Sequence, residues 1–205
     1  MAKIFLFFPF KNYSEDDVLK EDVEDLRKSG LKFEVIVWQR PPVTLRDVGD
    51  DDLLIIAGHG DLGDGTLAMN GKAGDVAITA SELAEMLETG GLAKSHQSIL
   101  LITCFGGGSS KMKNPTGAAR VPAADLIVKN NKKGECLASI LGKALGMRRY
   151  FSILVGGWPG SFISSDPDFG TRSSFEARDN EYVLAQLDHI QWFDCKGSNT
   201  VSAPA

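Results

Sequence analysis

Short runs of apolar residues recur along this chain, and segments with helical spacing separate most of them. The runs lie at 4–10 (IFLFFPF), 32–38 (KFEVIVW), 53–57 (LLIIA), 99–103 (ILLIT) and 151–155 (FSILV). A strand that is apolar at consecutive positions is covered on both faces, which is typical of a parallel sheet between helices. The pattern therefore predicts a single α/β domain, with a mostly parallel sheet sandwiched between two helix layers.

Capping residues and glycines mark the ends of the predicted helices. Ser14 is predicted to cap the first helix, which has acidic residues in its first turn and ends at Gly30. Thr79 and Glu82 form a capping box that opens a second helix. Two further helices are predicted over about 134–146 and over 175–189, and Asn70-Gly71 predicts a hairpin.

The composition is that of an ordinary globular protein, with 43% hydrophobic and 24% charged residues. It excludes a disordered chain and a coiled coil. The net charge of −5 gives no basic footprint, so nucleic acid is not expected as a partner. No stretch reaches the roughly 18 consecutive apolar residues of a membrane helix, so no membrane span is expected. We expect one domain at 1–196 and a flexible C-terminal tail at 197–205.

The chain has three cysteines, Cys104, Cys136 and Cys195, and an odd number in an ordinary composition argues against a disulfide framework. A reducing compartment is the simplest interpretation, and we expect a cytoplasmic protein; a secreted effector or a toxin-associated protein is the alternative. No Cys-x-x-Cys or His-x-x-x-His pair occurs, so a zinc site is not expected. No other metal or cofactor is predicted.

Two of the apolar runs end in residues that can do chemistry. His59 follows the run at 53–57, and Cys104 follows the run at 99–103. In an open parallel sheet, ligands bind at the carboxyl ends of the strands, so neighbouring strands would bring the two side chains to one edge. An imidazole can take the proton of a thiol and so activate it as a nucleophile. Gly60 lets a backbone N–H approach a substrate carbonyl, and with the amide of Cys104 it can form an oxyanion hole.

The segments LLIIAGHGD and ILLITCFGG, each an apolar strand followed by His-Gly or Cys-x-Gly, resemble those of the caspase-like (clan CD) cysteine peptidases. The resemblance covers roughly residues 3–160, and it is specific at the two motifs. It implies a caspase-like fold with Cys104 as nucleophile, His59 as acid and base, and the amides of Gly60 and Cys104 at the oxyanion. Members of this clan work largely as a dyad, so no acidic third residue is assigned, and Asp61 is interpreted as a loop residue.

The chain departs from the caspases directly before the nucleophile. Ile102-Thr103 stands where caspases have Gln-Ala, which favours a bacterial relative or an effector protease. Residues 153–162 (ILVGGWPGSF) resemble the segment that lines the primary specificity pocket in this clan. Trp158 and Ser161 of that segment, together with Thr103, are therefore predicted to contact a protein or peptide substrate. The alternative for Trp158 is a core residue in a Gly-Pro turn.

Residues 106–133 form a long predicted loop with six cations in an otherwise acidic protein: Lys111, Lys113, Arg120, Lys129, Lys132 and Lys133. Its length and composition are typical of a functional or mobile segment. In relatives the equivalent connection is cut or rearranged on activation, and the positive charge fits an anionic activator. The alternative is a solvated loop without a role.

Two other functions remain open at this point. One is a catalytically silent, caspase-like module that only binds, and the other is a different thiol-dependent α/β hydrolase. The remaining histidines are assigned no function, because His96 lies in a polar turn and is predicted at the surface, and His189 lies near the end of the predicted last helix.

Overall fold

The structure is a computed structural model in which the described residues are 2–28, 30–40, 42, 44–60, 65–71, 74–103, 106, 135–158, 163–164, 173–177, 181–184 and 190–200. At 163–164, 173–177 and 181–184 only the backbone is described. The basic segment predicted at 106–133 lies outside this set except for Gly106, and so do Cys104, Asp61, Ser161 and His189.

The described strands are β1 (Ile4–Phe8), β2 (Glu34–Val37), β3 (Leu53–Ala57), β4 (Thr66–Met69), β5 (Val76–Thr79), β6 (Ser98–Ile102), β7 (Leu154–Gly157), β8 (Ile163–Ser164), β9 (Ser173–Ala177), β10 (Glu181–Leu184), β11 (Gln191–Phe193) and β12 (Asn199–Thr200). Seven of them form the main sheet in the order β12-β11-β7-β6-β3-β1-β2. The five strands from β7 to β2 are parallel, and β11 and β12 add antiparallel pairs at one edge. The predicted α/β fold with a mostly parallel sheet is therefore confirmed.

The described helices are α1 (Asp17–Lys28), α2 (Ala80–Thr89) and α3 (Leu137–Met147), with single turns of 3-10 helix at Tyr13–Glu15 and Leu45–Asp47. The capping box of α2 is confirmed, because Thr79 Oγ1 accepts the N–H of Glu82 at 3.2 Å. The predicted cap of α1 is wrong. Ser14 lies in the preceding 3-10 turn, and it is Asp16 whose Oδ1 accepts the N–H groups of Val18 and Leu19.

The C-terminal part of the chain differs from the prediction. The helix predicted at 175–189 is wrong, because β9 and β10 pair there as antiparallel strands with Phe175 opposite Val183. Aromatic and β-branched residues favour strands, and the Asp179-Asn180 pair favours a turn between them. Residues 199–200, which were predicted in the flexible tail, form β12 against β11.

The last parallel strand begins later than predicted. It covers Leu154–Gly157 instead of 151–155, and Phe151 is exposed before it. Two glycines belong to this strand, and an aromatic ring covers one of them. A Cβ at Gly156 would come within 2.8 Å of the Trp192 ring from β11. Gly156, which indicates a turn in the sequence, therefore makes room for the neighbouring strand.

Helix α3 packs its backbone directly against the loop that follows β11. A Cβ at Gly142 would lie 2.5 Å from the carbonyl oxygen of Asp194, and one at Gly146 would overlap the carbonyl oxygen of Cys195. Both contacts are with backbone atoms, which cannot rotate away. The spacing of four residues puts both glycines on one face of the helix.

We expect Gly146→Ala to destabilise the protein by about 1–3 kcal/mol, because the methyl group forces the 194–195 loop away from the helix. The sign of the change in unfolding free energy tests the contact, because Gly→Ala in an exposed helix interior stabilises a protein by about 0.5–1 kcal/mol. Urea unfolding measures the change in the free energy of unfolding. Met147→Ala is the matched control, because the neighbouring Met147 is 81% exposed and contributes little packing. Equal midpoints for the two variants would contradict the close contact.

His96 is buried, so its predicted surface position is wrong. Its Nδ1 lies 2.9 Å from the carbonyl oxygen of Gly49, and its Nε2 lies 2.9 Å from that of Ser98. The ring thus fixes the loop before β3 to the amino end of β6. The polar sequence around His96 is exposed as predicted, but the imidazole itself fills the interior. Within the described part of the chain, no helix is long and apolar enough to cross a membrane.

Candidate active site

Strands β3 and β6 are adjacent and parallel, as the sequence predicts for the two strands that precede His59 and Cys104. Ala57 pairs with Ile102 in the register, and the N–H of Gly58 donates to the carbonyl of Ile102 at 3.3 Å. The chain therefore leaves both strands side by side, with Gly58 and then His59 after β3 and with Thr103 after β6. Cys104 itself lies outside the described residues.

The backbone of His59 is held by the hairpin that follows it. Its N–H donates to the carbonyl of Ala68 at 2.7 Å, and the N–H of Ala68 donates back at 2.8 Å. Ala68 belongs to β4, which pairs with β5 in the predicted hairpin. Gly58 makes this approach possible, since a Cβ there would come within 2.6 Å of the Leu67 side chain. Close packing against Leu67 therefore requires a glycine directly before His59.

The imidazole of His59 is paired with the carboxylate of Asp16. Nε2 of His59 lies 2.8 Å from Oδ2 of Asp16, and the side chains are 28% and 1% exposed, respectively. Asp16 reaches the site from the connection between β1 and α1. Because β1 is the other neighbour of β3 in the sheet, its carboxyl end opens beside His59.

Four donors converge on the two oxygens of Asp16. Besides His59, Oδ2 accepts the N–H of Asn70 at 2.7 Å, and Oδ1 accepts the amides of Val18 and Leu19 at 3.1 and 3.2 Å. Burial by itself would raise the pKa of Asp16. The hydrogen bonds from Asn70, Leu19 and His59 outweigh it, so that the pKa lies below its ordinary value.

This charge state decides which nitrogen of His59 is available. An ionised carboxylate only accepts, so Nε2 must carry the proton that it donates to Asp16. In the neutral ring, Nδ1 is then the acceptor. The half-buried imidazole therefore has one nitrogen fixed on a buried anion and the other in the form that can take a proton.

Asp16 is the residue of this candidate site that the sequence analysis does not assign. The sequence places it among the acidic residues of the first helical turn, where its charge suits the helix dipole. The structure places Asp16 one position before α1, where it caps the helix instead of belonging to its first turn. The same carboxylate also pairs with a histidine 43 positions later in the chain, and no local pattern indicates this contact.

The other predicted site residues within the described part of the chain differ in how far they are buried. Gly60 follows His59 and is half-buried. Thr103 and Trp158 follow the carboxyl ends of β6 and β7, and both side chains are buried. Oγ1 of Thr103 has no hydrogen-bond partner among the described residues. The N–H of Gly106 donates to the carbonyl of Thr103 at 3.3 Å. A hydrogen bond therefore joins the last described residue before Cys104 to the first described residue after it.

The two described cysteines lie at opposite ends of α3, and Cys136 is the one near this edge, because the N–H of Ala138 donates to the carbonyl of Gly106 at 2.9 Å. Cys136 is buried at the start of α3, and burial raises the pKa of its thiol to about 11, which keeps it unreactive at neutral pH. Cys195 is half-buried beside α3. In the described part of the chain, no cluster of three His, Cys, Asp or Glu side chains has the arrangement of a metal site.

The fold and this edge define an α/β protein with a carboxylate–imidazole pair at the carboxyl ends of parallel strands. Comparison of the chain with protein-family models finds no match, and comparison with curated proteins finds none either. The function is therefore argued from the site itself.

Proposed function

We propose that this protein is a cysteine endopeptidase, in which Cys104 is the nucleophile and His59 is the acid and base. The observation that carries the proposal is the buried Asp16 carboxylate 2.8 Å from His59 Nε2, beside the strand that leads to Cys104. A hydrogen-bonded carboxylate that fixes the tautomer of a histidine is the arrangement found where an imidazole must move protons.

The proposed reaction begins with transfer of the Cys104 proton to Nδ1 of His59. The thiolate attacks the carbonyl carbon of the scissile peptide, and the amides of Gly60 and Cys104 stabilise the oxyanion. The imidazolium then protonates the leaving amine, and a thioester remains on Cys104. Water, deprotonated by His59, hydrolyses the thioester and restores the thiol. Asp16 stabilises the imidazolium in both halves of the reaction.

Asp16 also favours an enzyme over the silent binding module. Burying a carboxylate is costly unless several donors compensate for it, and one of the four donors here is a half-buried histidine at the strand edge. A module that only binds has no need for an oriented proton acceptor. A different thiol-dependent hydrolase would use the same residues, and only the substrate separates it from an endopeptidase.

The first test is cleavage of an unbiased peptide library by the wild-type chain and by Cys104→Ala. We expect the variant to lose all cleavage while it keeps the wild-type circular dichroism spectrum. Cys136→Ala and Cys195→Ala are matched controls that should retain activity. A peptide-like covalent inhibitor should add to Cys104 alone by mass spectrometry. Cleavage that survives in Cys104→Ala would overturn the proposal, and hydrolysis of simple thioesters without peptide cleavage would favour the other hydrolase.

A second test separates activation of the thiol from its mere presence. If His59 supports the thiolate, alkylation of Cys104 by iodoacetamide should stay fast well below pH 8.5, which is roughly where a free thiol titrates. His59→Ala should move the rate profile toward that pH. Liquid chromatography with mass spectrometry, resolved by cysteine, gives the rates. Identical profiles for the two proteins would show that the imidazole does not act on the sulfur.

A further inference from the structure

A cavity of about 330 Å³ lies beside the carboxyl ends of β1 and β2, and neither His59 nor Asp16 is among the residues that line it. Phe7, Ile36, Trp38 and Leu45 form its apolar walls, and Gly90 at the end of α2 forms another side. The size is at the lower end of the range for small-molecule sites, roughly 300–1,000 Å³. We call it the β2 cavity.

Gly90 lets two walls of the β2 cavity pack closely against the end of α2. A Cβ at this position would lie 2.6 Å from Leu45 Cδ1, 2.9 Å from the carbonyl oxygen of Met86 and 3.2 Å from Trp38 Cζ3. The backbone at Gly90 has φ −68° and ψ −12°, which any residue adopts. The dihedral angles therefore do not require a glycine here, whereas the close approach of Leu45 and Trp38 does.

The turn beside the cavity is strained. Gln39 has φ 59°, in the left-handed region that a residue other than glycine seldom occupies. The turn is closed by the N–H of Arg40, which donates to the carbonyl of Val37 at 3.0 Å. It holds Trp38 against Phe7 in an edge-to-face contact, with 6.5 Å between the ring centroids. Backbone strain of this kind is concentrated at ligand sites and other functional sites.

Arg40 provides the one charge among the residues that line the β2 cavity. Its side chain is exposed, and Nη2 donates to Oδ1 of Asn12 at 3.1 Å. Within the described residues, no carboxylate forms an ion pair with it. A guanidinium has five N–H donors in a planar fork, so donors remain for a second, anionic partner.

We propose that the β2 cavity binds a small aromatic monocarboxylate, with the ring between Trp38 and Leu45 and the carboxylate on Arg40. The aromatic and aliphatic walls fit a flat apolar group, and a carboxylate matches the geometry of the guanidinium. None of the residues that line the β2 cavity has a role in the proposed peptidase reaction, so binding at this site can be tested separately from that activity.

The test uses the full chain and 2-naphthoate as the probe, with the uncharged 2-naphthylmethanol as its matched ligand. Calorimetry should give one site for naphthoate and an affinity about 10- to 100-fold weaker for the alcohol, since the charged hydrogen bonds are lost. In nitrogen–proton NMR spectra, the Trp38 indole signal, assigned with Trp38→Phe, should shift on binding. The Trp158 signal should stay in place.

Two variants and one control complete the experiment. Arg40→Met should reduce the affinity for naphthoate to that for the alcohol, whereas Arg27→Met, on α1, should leave it unchanged. Gly90→Ala should weaken the binding of both ligands. If Gly90→Ala does not fold, Arg40→Met still tests the proposal, because Arg40 is exposed. Any one of four results would overturn the proposal. These are equal affinities for the two ligands, unchanged binding by Arg40→Met, a shift of the Trp158 signal instead of the Trp38 signal, and no binding at millimolar naphthoate.

Discussion

Asp16→Asn is expected to lower kcat/KM on a peptide substrate by about 10²–10⁴-fold, the order of loss seen when a histidine loses its orienting carboxylate. The site offers four donors to the two oxygens of Asp16, and an amide has only one acceptor atom. If the NH₂ group faces Val18 and Leu19, the cap of α1 is lost. If it faces His59, the ring must present an acceptor at Nε2, so the proton moves to Nδ1 and the base is blocked.

Asp17→Asn is the matched control for this prediction, because Asp17 is exposed at the start of α1. It should change kcat/KM by less than about twofold, in line with the small effect of surface substitutions. Loss of the cap alone costs about 0.5–2 kcal/mol of stability, so the assays belong well below the unfolding temperature of the variant. The iodoacetamide rate of Cys104 gives a second readout, which a purely structural effect would not change. Wild-type values of both rates in a folded Asp16→Asn protein would contradict the orienting role.

The lowered pKa of Asp16 also predicts how its contribution to stability depends on pH. The pKa in the folded protein lies below the ordinary value of 3.8, so the folded state binds fewer protons here than the unfolded state. The stabilisation is therefore fully present above that value and is lost as the pH falls through the pKa of the folded state. The difference in unfolding free energy between wild type and Asp16→Asn should shrink below about pH 4.

His96→Ala should have the largest effect on stability, with a loss of about 3–5 kcal/mol. Each contact of the ring is with a carbonyl oxygen, which only accepts, and a neutral imidazole has one N–H, so the substitution leaves at least one of the Gly49 and Ser98 carbonyls without its donor. A buried group left unsatisfied costs about 1–3 kcal/mol, and the missing ring adds a cavity. Urea unfolding at neutral pH measures the loss.

Gln97→Ala is the control for His96→Ala. Gln97 is the next residue, its side chain is exposed, and its Nε2 donates to Asp51 at 2.9 Å at the surface. This variant should change the unfolding free energy by less than about 0.5 kcal/mol. A similarly small change for His96→Ala would show that the imidazole does not hold the 49–52 loop to β6.

Local physical chemistry makes some of this protein predictable from its sequence. The run LLIIA at 53–57 coincides with β3, because a strand covered on both faces needs apolar residues at consecutive positions. Thr79 and Glu82 mark the start of α2, since both partners of a capping box lie within one turn. Gly30 ends the first helix region in the left-handed conformation, with φ 80°. The edge at which His59 lies follows from the same reasoning, because parallel strands share their carboxyl ends.

Contacts between distant residues were decided by the tertiary structure alone. Asp16 is one of three consecutive acidic residues, and which of them is buried against His59 depends on how β1 and β3 pair. His96 has polar neighbours in sequence and carbonyl partners in space. In the sequence Gly156 indicates a turn, whereas in the structure it lies in a strand under the Trp192 ring. In each case the deciding free energy comes from burial and from partners brought together by the sheet, which neither composition nor periodicity encodes.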